Sequence, residues 1–123
     1  MRLALSCECG EIERFLGQYS HFGAPVKDLS RFEALCHKLG DPQDKLRYIH
    51  IVGTNGKGSV AHIIASVLQQ AGYRTGLFTS PHLQDFRERI RVDGEMIPKQ
   101  KVVNFVDKHH DKMVELELSF FEM

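Results

Sequence analysis

Two segments near the start of the chain repeat apolar residues at helical spacing. The first has them at positions i, i+3, i+4 and i+7, namely Ile12, Phe15, Leu16 and Tyr19. A turn at residues 23–25 precedes a second helix, for which Asp28 is the predicted N-cap. Gly40 suits the left-handed position after a helix, and Pro42 prevents continuation. The apolar stripe of this second helix consists of Phe32, Leu35, Cys36 and Leu39. Residues 1–44 are therefore predicted to be a helical lead-in.

The pattern then changes to that of buried strands around one helix. Residues 46–52 form a nearly continuous apolar run, which is typical of a parallel strand covered on both faces. Helical spacing returns in residues 60–68, and Gly72 ends that helix. Residues 75–79 are predicted to form a second strand, closed by Ser80 and Pro81. Strand, loop, helix and strand over about 30 residues make a βαβ unit with a right-handed crossover.

A hairpin and a last helix complete the pattern. Asp93 and Gly94 favour a tight two-residue turn between strands at 90–92 and 95–97, because both central residues of such a turn need positive φ. Pro98 leads into a helix whose apolar side is Val102, Val103, Phe105, Val106 and Met113. The adjacent polar residues 109–111 (His109, His110 and Asp111) are expected on its solvated surface.

Composition limits the class of protein. The chain has 123 residues, of which 42% are apolar and 26% charged, as in globular domains. Its 16 basic and 16 acidic residues cancel, so neither nucleic acid nor a membrane surface is an expected partner. The odd count of three cysteines disfavours a disulfide framework, and the start lacks a signal-peptide pattern, so a reducing cytoplasm is expected. Cys7, Cys9, Cys36 and His37 lack paired zinc-ligand spacing, and a buried thiol is expected at Cys36.

The strongest chemical signal lies between the first predicted strand and its helix, in the segment Gly53-Thr54-Asn55-Gly56-Lys57-Gly58-Ser59. Glycines let backbone N–H groups turn toward phosphate oxygens, and a helix N-terminus attracts the same anion. The segment departs from the P-loop pattern G-x-x-x-x-G-K-[ST], because Ile51 stands at the first glycine position and Gly58 follows Lys57. A glycine turn with an exposed lysine is the alternative, but the flanking strand and helix favour nucleotide binding.

Residues 49–59 resemble the ATP-binding loop of the Mur ligase superfamily. Residues 39–43, 76–83, 86–90 and 119–122 narrow the resemblance to the folylpolyglutamate synthase and dihydrofolate synthase family, and the run Ser80-Pro81-His82-Leu83 separates it from peptidoglycan ligases. The resemblance implies an α/β fold: a P-loop NTPase-like parallel sheet with flanking helices, as in the Mur ligase central domain. Residues 45–123 would supply its βαβ unit, Ω-type loop, hairpin and helix.

The same resemblance implies roles for individual residues. Residues 53–59 would hold the ATP phosphates, with Lys57 also catalytic on the β and γ oxygens. Ser80 and Glu122 would coordinate Mg²⁺, which prefers oxygen ligands. The loop beside the pterin-bearing substrate would contribute His82, Phe86, Arg87 and Arg89. An aromatic ring can stack there on a flat ligand, and an arginine can meet a carboxylate.

Each role has a purely structural alternative. Ser80 can simply end a strand before Pro81. Ser119-x-x-Glu122 is also a capping box that would start a helix, with the Glu122 carboxylate accepting from the Ser119 N–H, and this is compatible with metal binding. The arginines of residues 87–91 can form the solvated face of a hairpin. Leu29 and Arg31 match the family's N-terminal segment but are assigned no chemistry.

The implied activity is ATP-dependent addition of L-glutamate to dihydropteroate or folates through an acyl phosphate. These small molecules are the expected partners, and a monomer is the expected full-length form. Relatives continue with further metal-binding residues and a second, glutamate-binding domain, so we expect an incomplete central domain, an N-terminal fragment that is inactive by itself. The alternatives are a nucleotide-binding module without catalysis, another Mur-type ligase and an unrelated P-loop hydrolase.

Overall fold

A computed structural model describes residues 29–120 and 122–123, which divide into two compact units. The helical unit comprises residues 29–47 and 103–123 without Phe121, and the sheet unit is Tyr48–Val102. The elements are α1 (Ser30–Lys38), a 3₁₀ turn (Pro42–Lys45), α2 (Lys57–Gln70), β1 (Gly76–Phe78), a 3₁₀ turn (Phe86–Arg89), β2 (Ile90–Val92), β3 (Glu95–Met96) and α3 (Lys99–Glu115). The predicted helix at residues 12–19, the turn at 23–25, the Asp28 cap and two cysteines, Cys7 and Cys9, lie outside the described residues.

The core of the helical unit joins α1 to the end of α3. Leu35, Met113 and Leu118 are at most 3% exposed, and three partly buried residues pack against them: Leu39, Leu116 and Met123. Burial of a side chain of this size contributes about 2 kcal/mol. Cys36 is buried as predicted, and burial raises the pKa of its thiol.

Gly40 ends α1 as predicted, with φ +80°. The Gly40 N–H donates to the His37 carbonyl over 3.1 Å, and the Asp41 N–H donates to that of Cys36 over 2.9 Å. These two bonds form a Schellman motif. The end of α3 repeats the motif without a glycine, because Glu117 takes φ +49° and the Leu118 N–H donates to the Met113 carbonyl over 3.1 Å.

The helix predicted at residues 60–68 forms as α2, but part of its apolar surface is exposed. α2 contacts β1, and Gly72, two residues after its last helical residue Gln70, takes the predicted left-handed conformation with φ +86°. Ala65 is buried and Ile64 and Leu68 are half-buried. On the neighbouring face the exposed apolar residues are Val60, Ile63 and Val67.

The α/β class is confirmed, but the predicted first strand is wrong. Residues 46–52 contain no strand, and Leu46 and Val52 are 63% and 77% exposed. Among the described residues, the sheet is antiparallel in the order β1-β2-β3 rather than parallel. A parallel strand requires a hydrogen-bonded neighbour, and here the described partner of β1 is the hairpin strand β2.

The hairpin has the predicted turn. Asp93 and Gly94 take φ +52° and +86°, and Val92 pairs with Glu95 across the turn. Asp93 is also bonded to the residue before β1, because its Oδ1 accepts from the Thr75 N–H over 2.7 Å and its own N–H donates to the Thr75 carbonyl over 2.9 Å. The turn therefore holds β1 as well as its own two strands.

The expectation of a solvated His109 is wrong. The buried residues of α3 are Val103, Val106, His109 and Met113, which recur every three or four positions. The His109 ring lies 4.8 Å from that of Phe105, and burial lowers the pKa of the imidazole. His110 and Asp111 are exposed as expected. None of the helices in the described part of the chain is long and apolar enough to cross a membrane.

Candidate functional site

The glycine loop, residues 53–59, leads directly into the N-terminus of α2. Gly56 is the N-cap with φ +76°, and Lys57 is the first helical residue. A left-handed N-cap of this kind suits glycine because the conformation costs other residues about 1–2 kcal/mol. All seven residues are exposed. The first N–H groups of a helix have no intrahelical partner, so they and the helix dipole are available to an anion.

The Lys57 ammonium lies over the loop. Its Nζ donates to the Gly53 carbonyl over 2.7 Å and to the Thr54 carbonyl over 3.4 Å. Neither residues 53–59 nor the first turn of α2 contains an acidic side chain. A lysine charge, free helix N–H groups and an absence of carboxylates therefore coincide at one place in the sheet unit.

Ser80 follows β1 and precedes a cis peptide bond to Pro81. Its side chain is exposed, and the preceding residue is anchored by the Thr79 N–H, which donates to the Arg89 carbonyl over 2.9 Å. The hydroxyl thus lies at a corner whose N-terminal side is fixed by the sheet.

The loop after this corner is held by Glu88. Its carboxylate accepts from three successive N–H groups, those of Leu83, Gln84 and Asp85, over 3.0, 3.0 and 2.7 Å. These bonds lower the pKa of Glu88. Asp85 in turn caps the 3₁₀ turn by accepting from the Arg87 N–H over 2.9 Å. The capping box Asp85-x-x-Glu88 is a signal that the sequence analysis missed, although its spacing is the usual one.

The structure brings together three of the four predicted substrate residues. Arg89 is 7% exposed, and its Nε donates to His82 Nδ1 over 2.7 Å. The rings of His82 and Phe86 meet edge to face with centroids 6.3 Å apart. Arg87 instead forms a bidentate salt bridge with Asp85: its Nε donates to Oδ1 over 3.1 Å and its Nη2 donates to Oδ2 over 2.7 Å. These hydrogen bonds lower the pKa of Asp85.

Glu122 adopts the capping-box contact that was the structural alternative for it. Its Oε2 accepts from the Ser119 N–H over 2.8 Å, in a hydrogen-bonded turn rather than the start of a described helix. The other oxygen, Oε1, is buried and receives no hydrogen bond from the described residues. Burial raises the pKa of this carboxyl, but hydrogen bonds from Ser119 and the charge of Arg31 outweigh that effect and lower it. Glu122 belongs to the helical unit and Ser80 to the sheet unit.

Arg31, to which no chemistry is assigned from the sequence, contacts Glu122. Its Nε lies 3.8 Å from Glu122 Oε1, and its Nη1 donates to the Glu117 carbonyl over 2.9 Å. No local pattern links positions so far apart in the chain. The predicted absence of a zinc set stays a prediction for Cys7 and Cys9, and no cluster of three metal-binding side chains occurs among residues 29–120 and 122–123.

Comparisons with known proteins point to one kind of enzyme, although no family model matches the chain. The folylpolyglutamate synthase of Lacticaseibacillus casei is 51% identical over 83 residues, covering 68% of this chain and 19% of the relative. The dihydrofolate synthase/folylpolyglutamate synthase of Bacillus subtilis is 42% identical over 92 residues, covering 72% and 21%. A solved complex of a folylpolyglutamate synthase (FPGS) with AMPPCP and folate superposes on this chain with a TM-score of 0.84. The sequence identity is 37%, and the match covers 94% of this chain and 30% of the solved one. The chain thus spans about a fifth of the length of these curated relatives.

Proposed function

Over the segment that it shares with them, the chain belongs to the family of the folylpolyglutamate and dihydrofolate synthases, a Mur ligase family, and on that premise we propose that it is part of an ATP-dependent ligase. The ligase adds L-glutamate to dihydropteroate or to folates. Because the chain spans about a fifth of its relatives' length, we propose further that these 123 residues bind nucleotide but form no amide by themselves.

The observation that carries the proposal is the Lys57 ammonium over the glycine loop at the N-terminus of α2. A lysine and a phosphate oxygen about 4 Å apart interact with roughly 4 kcal/mol at an effective dielectric of 20. The helix N–H groups add hydrogen bonds to the same anion. The solved relative complexed with AMPPCP, an ATP analogue, supports a nucleotide as the ligand.

The proposed reaction needs positioning and charge stabilisation rather than a protein nucleophile. The substrate carboxylate takes the γ-phosphoryl group of ATP, which gives an acyl phosphate and ADP. The amine of glutamate then attacks the acyl carbon, and phosphate leaves as the amide forms. Lys57 and the loop N–H groups would hold the transferring phosphoryl group in place and stabilise its charge.

Glu122 and Ser80 are each proposed as an oxygen ligand of magnesium. Glu122 Oε1 is buried without a hydrogen bond from the described residues, its carboxyl pKa is lowered, and Ser80 offers an exposed hydroxyl. Mg²⁺ prefers oxygen ligands of this kind together with phosphate. When bound, the ion would neutralise negative charge on the phosphates. Arg31, whose Nε lies 3.8 Å from Oε1, would orient that oxygen.

The acceptor substrate is proposed to lie beside the loop of residues 82–89. His82 and Phe86 supply two ring edges, and Arg89 fixes His82 from the buried side. Arg87, although paired with Asp85, keeps a cationic group on the same loop. The solved FPGS complex that contains folate supports a pterin-bearing acceptor.

The test is calorimetric titration of the 123-residue chain with AMPPCP and Mg²⁺, in the presence and absence of folate. We expect saturable nucleotide binding that folate strengthens, and no amide product when ATP, glutamate and a pteroate are supplied. Nucleotide binding that is indifferent to folate and pteroate would favour a non-catalytic module. ATP turnover without any acceptor carboxylate would favour a hydrolase, and absence of nucleotide binding would overturn the proposal.

A further inference from the structure

The corner Ser80–His82 is fixed from both sides by a single residue, Arg89. Its carbonyl accepts from the Thr79 N–H over 2.9 Å, just before the corner. Its side chain donates from Nε to His82 Nδ1 over 2.7 Å, just after it. Arg89 itself is 7% exposed at the end of the 3₁₀ turn, directly before β2. The buried Arg89 guanidinium thus makes a contact with the loop through His82, which is distinct from the substrate contact that the family resemblance suggested for it.

The direction of the Arg89–His82 hydrogen bond determines the chemistry of the imidazole. A guanidinium has N–H donors and no acceptor, so His82 Nδ1 must accept with its lone pair. In that tautomer the ring proton lies on Nε2, and Nε2 becomes the donor of the ring. The edge-to-face contact with Phe86 restrains the ring plane further.

We propose that Arg89 is a positioning residue that fixes His82 as an Nε2–H hydrogen-bond donor for the acceptor substrate. Arg89 occupies Nδ1, so Nε2–H is the polar group of the ring that a ligand can contact. Its role is to donate to an oxygen or ring nitrogen of the pterin-bearing acceptor. The substrate half of this inference rests on the proposed function, whereas the Arg89–His82 contact does not.

The contact is tested first, without any ligand, on the ¹⁵N-labelled 123-residue chain. We expect the Arg89 Nε–H proton to give a resolved, slowly exchanging NMR signal that His82→Ala abolishes. Arg91→Met, two residues along β2, is the matched control and should leave that signal unchanged. An Arg89 Nε–H that exchanges equally fast with and without the His82 ring would overturn the positioning role.

The donor role is tested by two substitutions that keep different atoms of the ring. His82→Gln retains an N–H near the position of Nε2, whereas His82→Asn retains an acceptor near Nδ1. Relative to His82→Ala, we expect Gln but not Asn to restore folate affinity, by about tenfold, the value of one hydrogen bond to a polar ligand group. Restoration by Asn alone, by both or by neither would overturn the donor assignment. If the wild-type chain binds no folate, the proposed function and the donor role fail together, while the NMR result still decides the Arg89–His82 contact.

Discussion

Two glycine turns of this chain place a lysine in the same way. In the closing turn, residues 40–45, Lys45 Nζ donates to the Gly40 carbonyl over 2.7 Å. In the glycine loop, Lys57 Nζ donates to the Gly53 carbonyl over 2.7 Å. Both glycines have positive φ, +80° and +151°. The two turns therefore share a lysine contact with a glycine carbonyl, although their glycine φ values differ.

The two turns differ in the end of the helix that they present. The closing turn follows α1, where carbonyl groups give the helix end a partial negative charge, and it carries Asp41 and Asp44. The glycine loop precedes α2, where N–H groups are free, and it carries no carboxylate. A lysine on a glycine carbonyl is therefore not an anion site in itself. The helix terminus and the absence of acidic neighbours distinguish the glycine loop.

The largest expected effect comes from removing each lysine. Lys57→Ala should weaken AMPPCP binding about a hundredfold, because a charge-assisted hydrogen bond of roughly 3 kcal/mol is lost. Lys45→Ala removes a lysine with the same contact and should leave the affinity unchanged. Isothermal titration of both variants measures the difference. Equal affinities would remove the basis for assigning phosphate binding to the glycine loop.

Replacing the left-handed glycines should separate stability from binding. Gly40→Ala and Gly56→Ala should each lower the free energy of unfolding by about 1–2 kcal/mol, because alanine is strained at positive φ. Only Gly56→Ala should also weaken AMPPCP binding, since it alone disturbs the N-terminus of α2. Urea denaturation and nucleotide titration give the two quantities. A loss of affinity in the Gly40 variant would contradict the distinction.

Adding a carboxylate should make the glycine loop resemble the closing turn. Asn55→Asp places a negative charge among exposed loop residues, and we expect about a fivefold loss of AMPPCP affinity, equivalent to roughly 1 kcal/mol for a screened charge pair. Asn104→Asp, at an exposed position of α3, is the control. The loss should shrink as salt is raised, and a salt-independent loss would point to altered loop conformation instead.

The smallest effect is a pH dependence confined to the closing turn. Hydrogen bonds from Gln43 and then His37 lower the pKa of Asp41. A lowered folded-state pKa means that the stabilisation is present above the ordinary Asp pKa and is lost as pH falls through the lowered value. Wild type should therefore melt at a higher temperature than Asp41→Asn at pH 7, and the difference should close in strong acid. A constant difference would show that the Asp41 charge is not involved.

Features fixed by neighbouring residues were predictable from the sequence. Gly40 and Gly72 end helices, and Asp93-Gly94 forms a hairpin turn, because a glycine or a favoured dipeptide determines the local φ values. The glycine loop before α2 belongs to the same class. The Asp85-x-x-Glu88 capping box is equally local, and its spacing is sufficient to predict it.

Features that depend on distant partners were not predictable. The apolar run 46–52 has the composition of a strand, but a strand also needs a neighbour with free hydrogen-bonding groups. Glu122, His82 and Arg89 were predicted to bind ligands, but no local pattern indicated that Glu122 pairs with Arg31 or that Arg89 bonds to His82. The burial of His109 was only partly predictable. Its spacing from Val103 and Val106 indicated a buried position, whereas its polar side chain indicated a solvated one.

The two hydrogen bonds between Asp93 and Thr75 set the strand register in the sheet unit. Because they fix Thr75 at the hairpin, Phe78 lies opposite Ile90 and the Thr79 N–H meets the Arg89 carbonyl. Side chains alternate between the two faces of a strand, so deleting one residue between Thr75 and Ser80 would present the serine hydroxyl to the opposite face. The length of that segment is thus as much a requirement for the corner as the serine itself.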